Sequence, residues 1–136
     1  MFRIVGLDHV VLRVNDVERM VRFYRDVLGC GIERERPDIG LTQLRAGRSL
    51  IDIVAVDSEL GRRGGAGPGR EGRNMDHLCL RIEPFEPDAL ARLLASHGLA
   101  AGDVKTRYGA EGDGPSIYLT DPEGNTVELK GPPKSA

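Results

Sequence analysis

Two histidines and two acidic residues occur at matched places in the sequence and could together bind a metal ion. The segment 7–14 aligns without gaps to 75–82, and Asp, His, Leu and Arg recur at the same places in both segments. A second match aligns 51–53 with 127–129, so an acid between two aliphatic residues also occurs twice. The repeated residues are His9, Asp52, His77 and Glu128. Two neutral imidazoles and two carboxylates suit a divalent cation and leave coordination positions open for water or substrate.

Alternation along the first repeated segment explains why these side chains need partners. The segment is rich in β-branched and aliphatic residues, which predicts a buried strand. Its side chains divide between two faces, so His9 and Arg13 share one face and Leu12 and Val14 share the other. The second face can pack on a helix, whereas an imidazole and a guanidinium inside a sheet concavity need polar partners. Asp52 and Glu128 pose the same demand, because a carboxylate among aliphatic residues is costly unless it is paired or bound to a cation.

The predicted strands and helices that position these residues occur as two copies of one structural unit. In the first copy Asn15 is the expected N-cap of a helix with Glu18 in a capping box, and Gly29 ends that helix. In the second copy Pro87 suits the first helical position and Gly98 ends the helix. Three extended segments follow each helix, at 31–36, 41–46 and 50–56 and at 104–108, 116–120 and 125–130. The sequence therefore predicts an α+β fold of two tandem β-α-β-β-β modules whose curved sheets enclose a metal site.

One domain, 1–136, is expected to contain both modules, at 3–57 and 75–130. The connection 58–74 is rich in glycine and arginine and lacks apolar periodicity, so we expect a flexible linker. A second mobile stretch is expected at 108–114, which carries three glycines. The tail 131–136 is expected to be disordered.

Composition and charge favour a small-molecule partner. The 136 residues include 19 basic and 21 acidic ones, intermixed along the chain, for a net charge of -2. No basic face is therefore expected to bind nucleic acid or a membrane. Two cysteines, Cys30 and Cys79, form neither a disulfide framework nor a CxxC pair, which agrees with a reducing compartment. We expect a cytoplasmic protein.

Three motifs carry a resemblance to the vicinal oxygen chelate superfamily. They are Leu-Asp-His-Val-Val-Leu-Arg-Val at 7–14, Phe-Tyr-Arg-Asp-Val-Leu-Gly at 23–29 and Asp-Pro-Glu-Gly-Asn-Thr-Val-Glu-Leu at 121–129. The resemblance covers residues 5–130. This superfamily includes glyoxalase I, methylmalonyl-CoA epimerase, extradiol dioxygenases, fosfomycin-modifying thiol transferases and bleomycin-binding proteins, and it has the paired-module fold predicted above.

The resemblance implies a role for each repeated residue. The metal ligands fall on His9, Asp52, His77 and Glu128, although glyoxalase I and the epimerases carry Glu or Gln where Asp52 stands. Without Asp52 the other three form a two-histidine, one-carboxylate triad, an arrangement that suits Fe(II) or Mn(II). Glu128 matches the proton-shuttling base of glyoxalase I. Arg13 matches an arginine that holds a substrate carboxylate there, and a salt bridge at the rim is the alternative role.

Several functions agree with this pattern. Short chains with carboxylates on both fourth strands resemble glyoxalase I most, which implies a metal-dependent lyase or isomerase acting on a small substrate that bears carbonyl or carboxylate groups. An Fe(II) ring-cleaving dioxygenase and a non-catalytic antibiotic-binding or thiol-transfer resistance protein are the alternatives. The metal could be Ni, Co, Zn, Mn or Fe(II). Open sheet edges favour a homodimer, with modules paired within one chain or across two.

Overall fold

Two sheets of four strands each organise the chain. In the computed structural model, which describes residues 1–134, the chain divides into two units, Met1–Asn74 and Met75–Ala136. Each unit begins with a strand and a helix and continues with three more strands. This order confirms the two β-α-β-β-β modules and the α+β class that the sequence predicts.

The first unit has the sheet order β1-β4-β3-β2, in which β1 runs parallel to β4 and the other pairs are antiparallel. Because β1 and β4 are parallel, the chain between them must return to the end of the sheet at which β1 begins, and the first helix is part of that crossover connection. The elements are β1 (His9–Val14), α1 (Val17–Arg22), β2 (Ile32–Arg36), β3 (Leu41–Ala46), β4 (Ser49–Ala55) and α2 (Glu59–Arg62).

The first helix begins one residue later than the sequence suggested. Its N-cap is Asp16, whose carboxylate accepts a hydrogen bond from the Arg19 backbone N–H at 3.1 Å, so Asn15 was the wrong cap. Aspartate and asparagine cap helices equally well, and the sequence offers both side by side. After α1 the chain continues as a π-helical turn over Phe23–Val27. Gly29 then adopts a φ of 77°, a left-handed conformation that favours glycine and ends the helical segment as predicted.

The second unit repeats the sheet, with the order β5-β8-β7-β6. Again the first and last strands pair in parallel and the others are antiparallel. The glycine-rich stretch 108–114 belongs to the β6–β7 hairpin, in which Gly109 pairs with Gly112, so the expectation of a mobile stretch there was wrong. The elements are β5 (Leu78–Arg81), α3 (Pro87–Ser96), β6 (Lys105–Gly109), β7 (Gly112–Thr120) and β8 (Thr126–Lys130).

All of the helices are short. The longest of those described, α3, has ten residues. No helix within residues 1–134 combines the length and the apolar character needed to cross a membrane.

Burial in the first unit follows the alternation expected for β1. Leu12 and Val14 are fully buried, whereas Val11 on the opposite face is 45% exposed. Met20 of α1, the helix that contacts β4, and Tyr24 of the turn after it are also fully buried. In the second unit Leu94 of α3 is buried, as are Ile117, Leu119, Val127 and Leu129 of β7 and β8. Each unit thus has buried apolar residues of its own.

The connection and the tail contain ordered contacts. Residues 59–62 form α2, capped by the Ser58 hydroxyl, which accepts from the Gly61 N–H at 3.1 Å. In the tail the Gly131 N–H donates to the Pro115 carbonyl at 2.8 Å, and the Lys134 N–H donates to the Asp113 carbonyl at 2.7 Å. The tail predicted as disordered, 131–136, ends in two residues that lie outside those the structure describes.

Replacing Leu12 by alanine tests the importance of this face of β1. We expect Leu12→Ala to lower the free energy of unfolding by about 2–5 kcal/mol, because it removes a fully buried side chain and leaves a cavity. The matched control Val11→Ala, on the exposed face of the same strand, should change it by about 0.5 kcal/mol or less. Urea unfolding followed by circular dichroism measures both. Equal losses in the two variants would contradict the assigned orientation of β1.

Candidate metal centre

The first unit brings His9 close to Asp52. His9 opens β1, and Asp52 lies in the middle of the neighbouring strand β4, opposite Val11. The His9 Nε2 atom is 3.9 Å from Asp52 Oδ2, and only 7% of the Asp52 side chain is exposed. On the other side of the ring, His9 Nδ1 lies 2.7 Å from Asp8 Oδ1. The hydrogen bond to Asp8, followed by the charge of Asp52, raises the pKa of His9.

Gln43 holds the Asp52 carboxylate from a third strand. Gln43 faces Asp52 across the β3–β4 pair, and its side-chain Nε2 lies 3.2 Å from each carboxylate oxygen. An amide nitrogen has two N–H groups and can serve both oxygens. Asp52 is therefore hydrogen-bonded in place, with lone pairs remaining toward His9.

The second unit repeats the pair with a shorter separation. His77 immediately precedes β5, and Glu128 lies in the middle of β8. The His77 Nε2 atom is 3.3 Å from Glu128 Oε1, and 8% of the Glu128 side chain is exposed. His77 Nδ1 lies 2.6 Å from Asp76 Oδ2. Each unit thus places one imidazole Nε2 next to one buried carboxylate.

Tyr118 and Cys79 flank Glu128 on the two neighbouring strands. The Tyr118 ring stacks edge-on against His77 at 5.5 Å, and the Arg107 guanidinium lies 4.4 Å above the centre of the same ring. Burial, and then the charge of Glu128, raises the pKa of Tyr118. Burial also raises the pKa of the Cys79 thiol to about 11, with the Glu128 charge and a hydrogen bond to Glu128 adding to the effect. Both groups are therefore protonated at neutral pH.

The donor chemistry of each pair fits a divalent cation. Among residues 1–134, Asp52 and Glu128 have histidines as their only ion-pair partners, so neither buried charge is balanced by a lysine or arginine. Buried carboxylates of this kind are stabilised by a metal ion. No three His, Cys, Asp or Glu side chains within the described part of the chain form a group that could hold a metal. Each unit therefore brings one histidine and one buried carboxylate together as two possible metal donors.

Arg13 contacts the chain that follows β4. Its guanidinium donates to the carbonyl oxygens of Gly61 at 3.1 Å, Gly65 at 3.0 Å and Ala66 at 2.9 Å. The Asn74 side chain binds the Arg13 backbone on both sides, accepting from its N–H at 3.1 Å and donating to its carbonyl at 3.0 Å. Arg13 and Asn74 also line an open cavity of about 370 Å³ in the first unit. Arg13 thus fastens the loop 61–74 to β1.

The repeated arginine of the second unit has a different environment. Arg81 donates from Nε to the Glu111 carboxylate at 2.6 Å, and its Nη2 lies 3.7 Å from Glu83. The rim salt bridge that the sequence suggested for Arg13 is therefore found at Arg81. The difference depends on the loops beyond each strand, which the repeat does not share.

Sequence reasoning missed Gln43 and Tyr118. Both occupy the same place, opposite the acid of the fourth strand and on the third strand of their module. Finding them requires the register between strands, which the residue pattern alone does not fix. Asp8 and Asp76 were visible, because the Asp-His pair is part of the repeat, but their contacts with the rings were not predicted.

Comparison with known proteins identifies the family. Residues 6–129 match the model of the Glyoxalase/Bleomycin resistance protein/Dioxygenase superfamily. Because the match spans most of the chain, this protein belongs to that superfamily. The resemblance seen in the sequence is confirmed.

A virulence protein of Salmonella typhimurium, STM3117, is similar in sequence and in structure. It is 29% identical over 124 residues, which cover 90% of this chain and 81% of that protein. Its crystal structure superimposes with a TM-score of 0.79 over 96% of this chain and 98% of that one, at 26% identity.

Two further crystal structures share the fold at lower identity. Lactoylglutathione lyase from Agrobacterium tumefaciens has a TM-score of 0.67 and 21% identity, with 93% of each chain covered. TnmS3, an antibiotic-binding protein from Streptomyces sp. CB03234, has a TM-score of 0.70 and 22% identity over 97% of this chain and 99% of that one. At such identities the likeness establishes the fold and leaves the activity open.

The Cys79 thiol offers a probe of the charge on Glu128. We expect Glu128→Gln to speed alkylation of Cys79 by iodoacetamide about three- to tenfold at pH 8, because removing the adjacent negative charge lowers the thiol pKa and raises the thiolate fraction. Intact-mass spectrometry follows the reaction, and Cys79→Ser identifies the site. Glu86→Gln, at the exposed start of α3, is the matched control. An unchanged rate in Glu128→Gln would contradict the contact.

Trypsin tests whether Arg13 fastens the loop. The segment 61–74 carries Arg62, Arg63, Arg70 and Arg73 as cleavage sites. We expect Arg13→Lys to speed cleavage there about tenfold, because a lysine cannot reproduce the three hydrogen bonds of the guanidinium. Loss of these bonds favours opening of the loop by roughly 1.4 kcal/mol, which corresponds to that tenfold change. Arg48→Lys, at an exposed turn, should leave the rate unchanged. Equal cleavage of wild type and Arg13→Lys would show that these hydrogen bonds do not restrain the loop.

Proposed function

We propose that this protein is a divalent-metal-dependent lyase or isomerase of the glyoxalase type, with His9, Asp52, His77 and Glu128 as metal ligands. The observation that supports this proposal is the pair of one histidine and one buried carboxylate that occurs in each unit. In each unit a buried carboxylate lies next to a histidine Nε2, with no lysine or arginine in the described residues to balance its charge. A divalent cation bound by these ligands would balance both carboxylates.

The residues of the second unit suit proton transfer. A bound divalent ion would polarise a carbonyl oxygen of the substrate. Glu128 is the base in this proposal, because its carboxylate is buried and faces both an imidazole and a phenol. Tyr118 keeps its proton at neutral pH and can donate a hydrogen bond to Glu128 or to a substrate oxygen. Glu128 is only 6% exposed, so water has little access to its carboxylate.

The proposed substrate is a small molecule that bears carbonyl or carboxylate groups. Arg13 is proposed to bind its anionic group, since the guanidinium lines the cavity of the first unit together with Arg73. Within residues 1–134 the loop carbonyls accept three hydrogen bonds from Arg13, and a guanidinium has five N–H donors. The exposed apolar side chains of Phe2, Ile4 and Leu7 supply surface that a second copy of the chain would cover in the proposed homodimer.

A second candidate, an Fe(II) ring-cleaving dioxygenase, is favoured by one observation. Gln43 bonds both oxygens of Asp52, and Asp52 lies 3.9 Å from His9, farther than Glu128 lies from His77. If the amide keeps Asp52 from the metal, then His9, His77 and Glu128 remain as a triad suited to Fe(II) or Mn(II). The two candidates therefore differ in whether Asp52 is a ligand.

Metal content distinguishes these possibilities. We expect about one metal ion per chain in protein purified without chelator or immobilised nickel, because four donors of this chemistry form one shell. His77→Ala should lose that metal, since it removes a ligand and leaves Glu128 unpaired. His97→Ala, at the exposed C-terminal end of α3, is the matched control and should retain it. Elemental analysis by plasma mass spectrometry provides the measurement.

The Asp52→Ala variant decides between the two enzyme classes. Metal weakened in Asp52→Ala supports the four-ligand site and directs assays to dicarbonyl and epimerase substrates. Iron retained in Asp52→Ala, with oxygen uptake on a catechol, supports the triad and the dioxygenase. Absence of metal from the wild type after reconstitution with Ni, Co, Zn, Mn and Fe(II) would overturn both and leave a binding protein.

A further inference from the structure

The two aspartates that precede the histidines contact them in the same way. Asp8 Oδ1 lies 2.7 Å from His9 Nδ1, and Asp76 Oδ2 lies 2.6 Å from His77 Nδ1. In both rings the opposite atom, Nε2, faces the buried carboxylate of the same sheet. The arrangement is formed separately in each unit, from residues of that unit alone.

We propose that Asp8 and Asp76 are positioning residues that fix the tautomer and the orientation of His9 and His77. An ionised carboxylate has only acceptor oxygens, so the ring nitrogen that it contacts most closely carries the hydrogen. The contacts of 2.7 and 2.6 Å at Nδ1 are shorter than those of 3.9 and 3.3 Å at Nε2, so the hydrogen lies on Nδ1. With Nδ1 protonated, a neutral imidazole presents its lone pair at Nε2. The lone pair is then directed at the place where the proposed function puts the metal ion, and this inference rests on that proposed function.

Stability does not account for these contacts. The side chains of Asp8 and Asp76 are 89% and 97% exposed, and exposed ion pairs contribute little to folding. Their effect is instead local, because each aspartate directly precedes its histidine where the chain enters the first strand of the unit, and this holds the carboxylate within reach of a single ring nitrogen. A metal-binding imidazole commonly donates its other N–H to a carboxylate, which orients the ring and increases its basicity. The Asp-His pair supplies that partner from the neighbouring residue.

The tautomer can be measured in the metal-free protein. Long-range ¹H–¹⁵N correlation spectra of ¹⁵N-histidine protein, recorded at pH 8, distinguish Nδ1–H from Nε2–H. We expect His9 and His77 to be Nδ1–H in the wild type. Asp76→Ala should shift His77 toward Nε2–H and leave His9 unchanged, and Asp8→Ala should do the reverse. Asp76→Asn should restore the wild-type pattern at His77, because the amide oxygen still accepts from Nδ1–H. His97 is the control within each spectrum.

Zn²⁺ affinity, measured by competition with a chromophoric chelator, is the second readout. Loss of such a carboxylate weakens metal binding about 10- to 100-fold in buried sites, and for these exposed aspartates we expect about tenfold in Asp76→Ala. Asp76→Asn should recover most of that loss. Asp88→Ala, at an exposed acid in the first turn of α3, should bind Zn²⁺ like the wild type. Thermal unfolding of each variant establishes that the fold is retained.

The tautomer spectra test the positioning role and the Zn²⁺ affinity tests the proposed function, so the failure of one can be distinguished from the failure of the other. Wild-type histidines in the Nε2–H form, or tautomers unchanged in the alanine variants, would overturn the positioning role even if the protein binds Zn²⁺ tightly. A wild type that has the expected tautomers and binds no metal would overturn the proposed function and leave Asp8 and Asp76 as residues that orient the imidazoles.

Discussion

Burying a negative charge in the middle of a strand costs free energy unless nearby groups compensate it, and each unit of this protein buries one such charge. As whole residues, Asp52 and Glu128 are 5% and 6% exposed, and each lies between aliphatic residues in the sequence. Strand pairing decides what can reach them, because the residues directly opposite on the two adjacent strands are the nearest side chains on the same face. In the described residues Gln43 and His9 lie next to the Asp52 carboxylate, and Cys79, Tyr118 and His77 lie next to the Glu128 carboxylate. The chemistry around each acid therefore follows from the strand register.

The same backbone register supports two different environments. Opposite the acid, the first unit places Val11 and Gln43, whereas the second places Cys79 and Tyr118. Asp52 is thus held by an amide beside an apolar side chain, while Glu128 lies between a thiol and a phenol. In the first environment the Gln43 amide holds the carboxylate in place. In the second, a thiol and a phenol that both carry protons lie beside the carboxylate, which suits the base proposed for Glu128. The two units thus share the histidine and the acid but differ in the side chains next to the acid.

Much of the fold could be predicted from the sequence, because each module's strands and helix have strong local signals. The repeated octapeptides and the glycines after each helix indicated the element order, and the acid repeated between aliphatic residues indicated Asp52 and Glu128. Errors arose where two residues give equivalent signals, as with Asn15 and Asp16 at the helix cap. Glycines at 108–114 were interpreted as mobile although they form a hairpin, since glycine permits both outcomes. Gln43 and Tyr118 could not be found, because cross-strand partners depend on register and on packing of the whole sheet.

The side chain of Asn74 makes the hydrogen bonds to the β1 backbone at Arg13 that a neighbouring strand would otherwise make. Within residues 1–134, β1 lies at the edge of its sheet and pairs with β4 alone, and an unpaired edge favours pairing with other chains. At Arg13 the Asn74 amide satisfies both the outward N–H and the outward carbonyl. Only a group with a donor and an acceptor side by side can do so. Deamidation would therefore be consequential at this position: an aspartate keeps the acceptor but turns a negative oxygen toward the Arg13 carbonyl, so that slow chemical ageing of one residue would reopen the edge of the sheet.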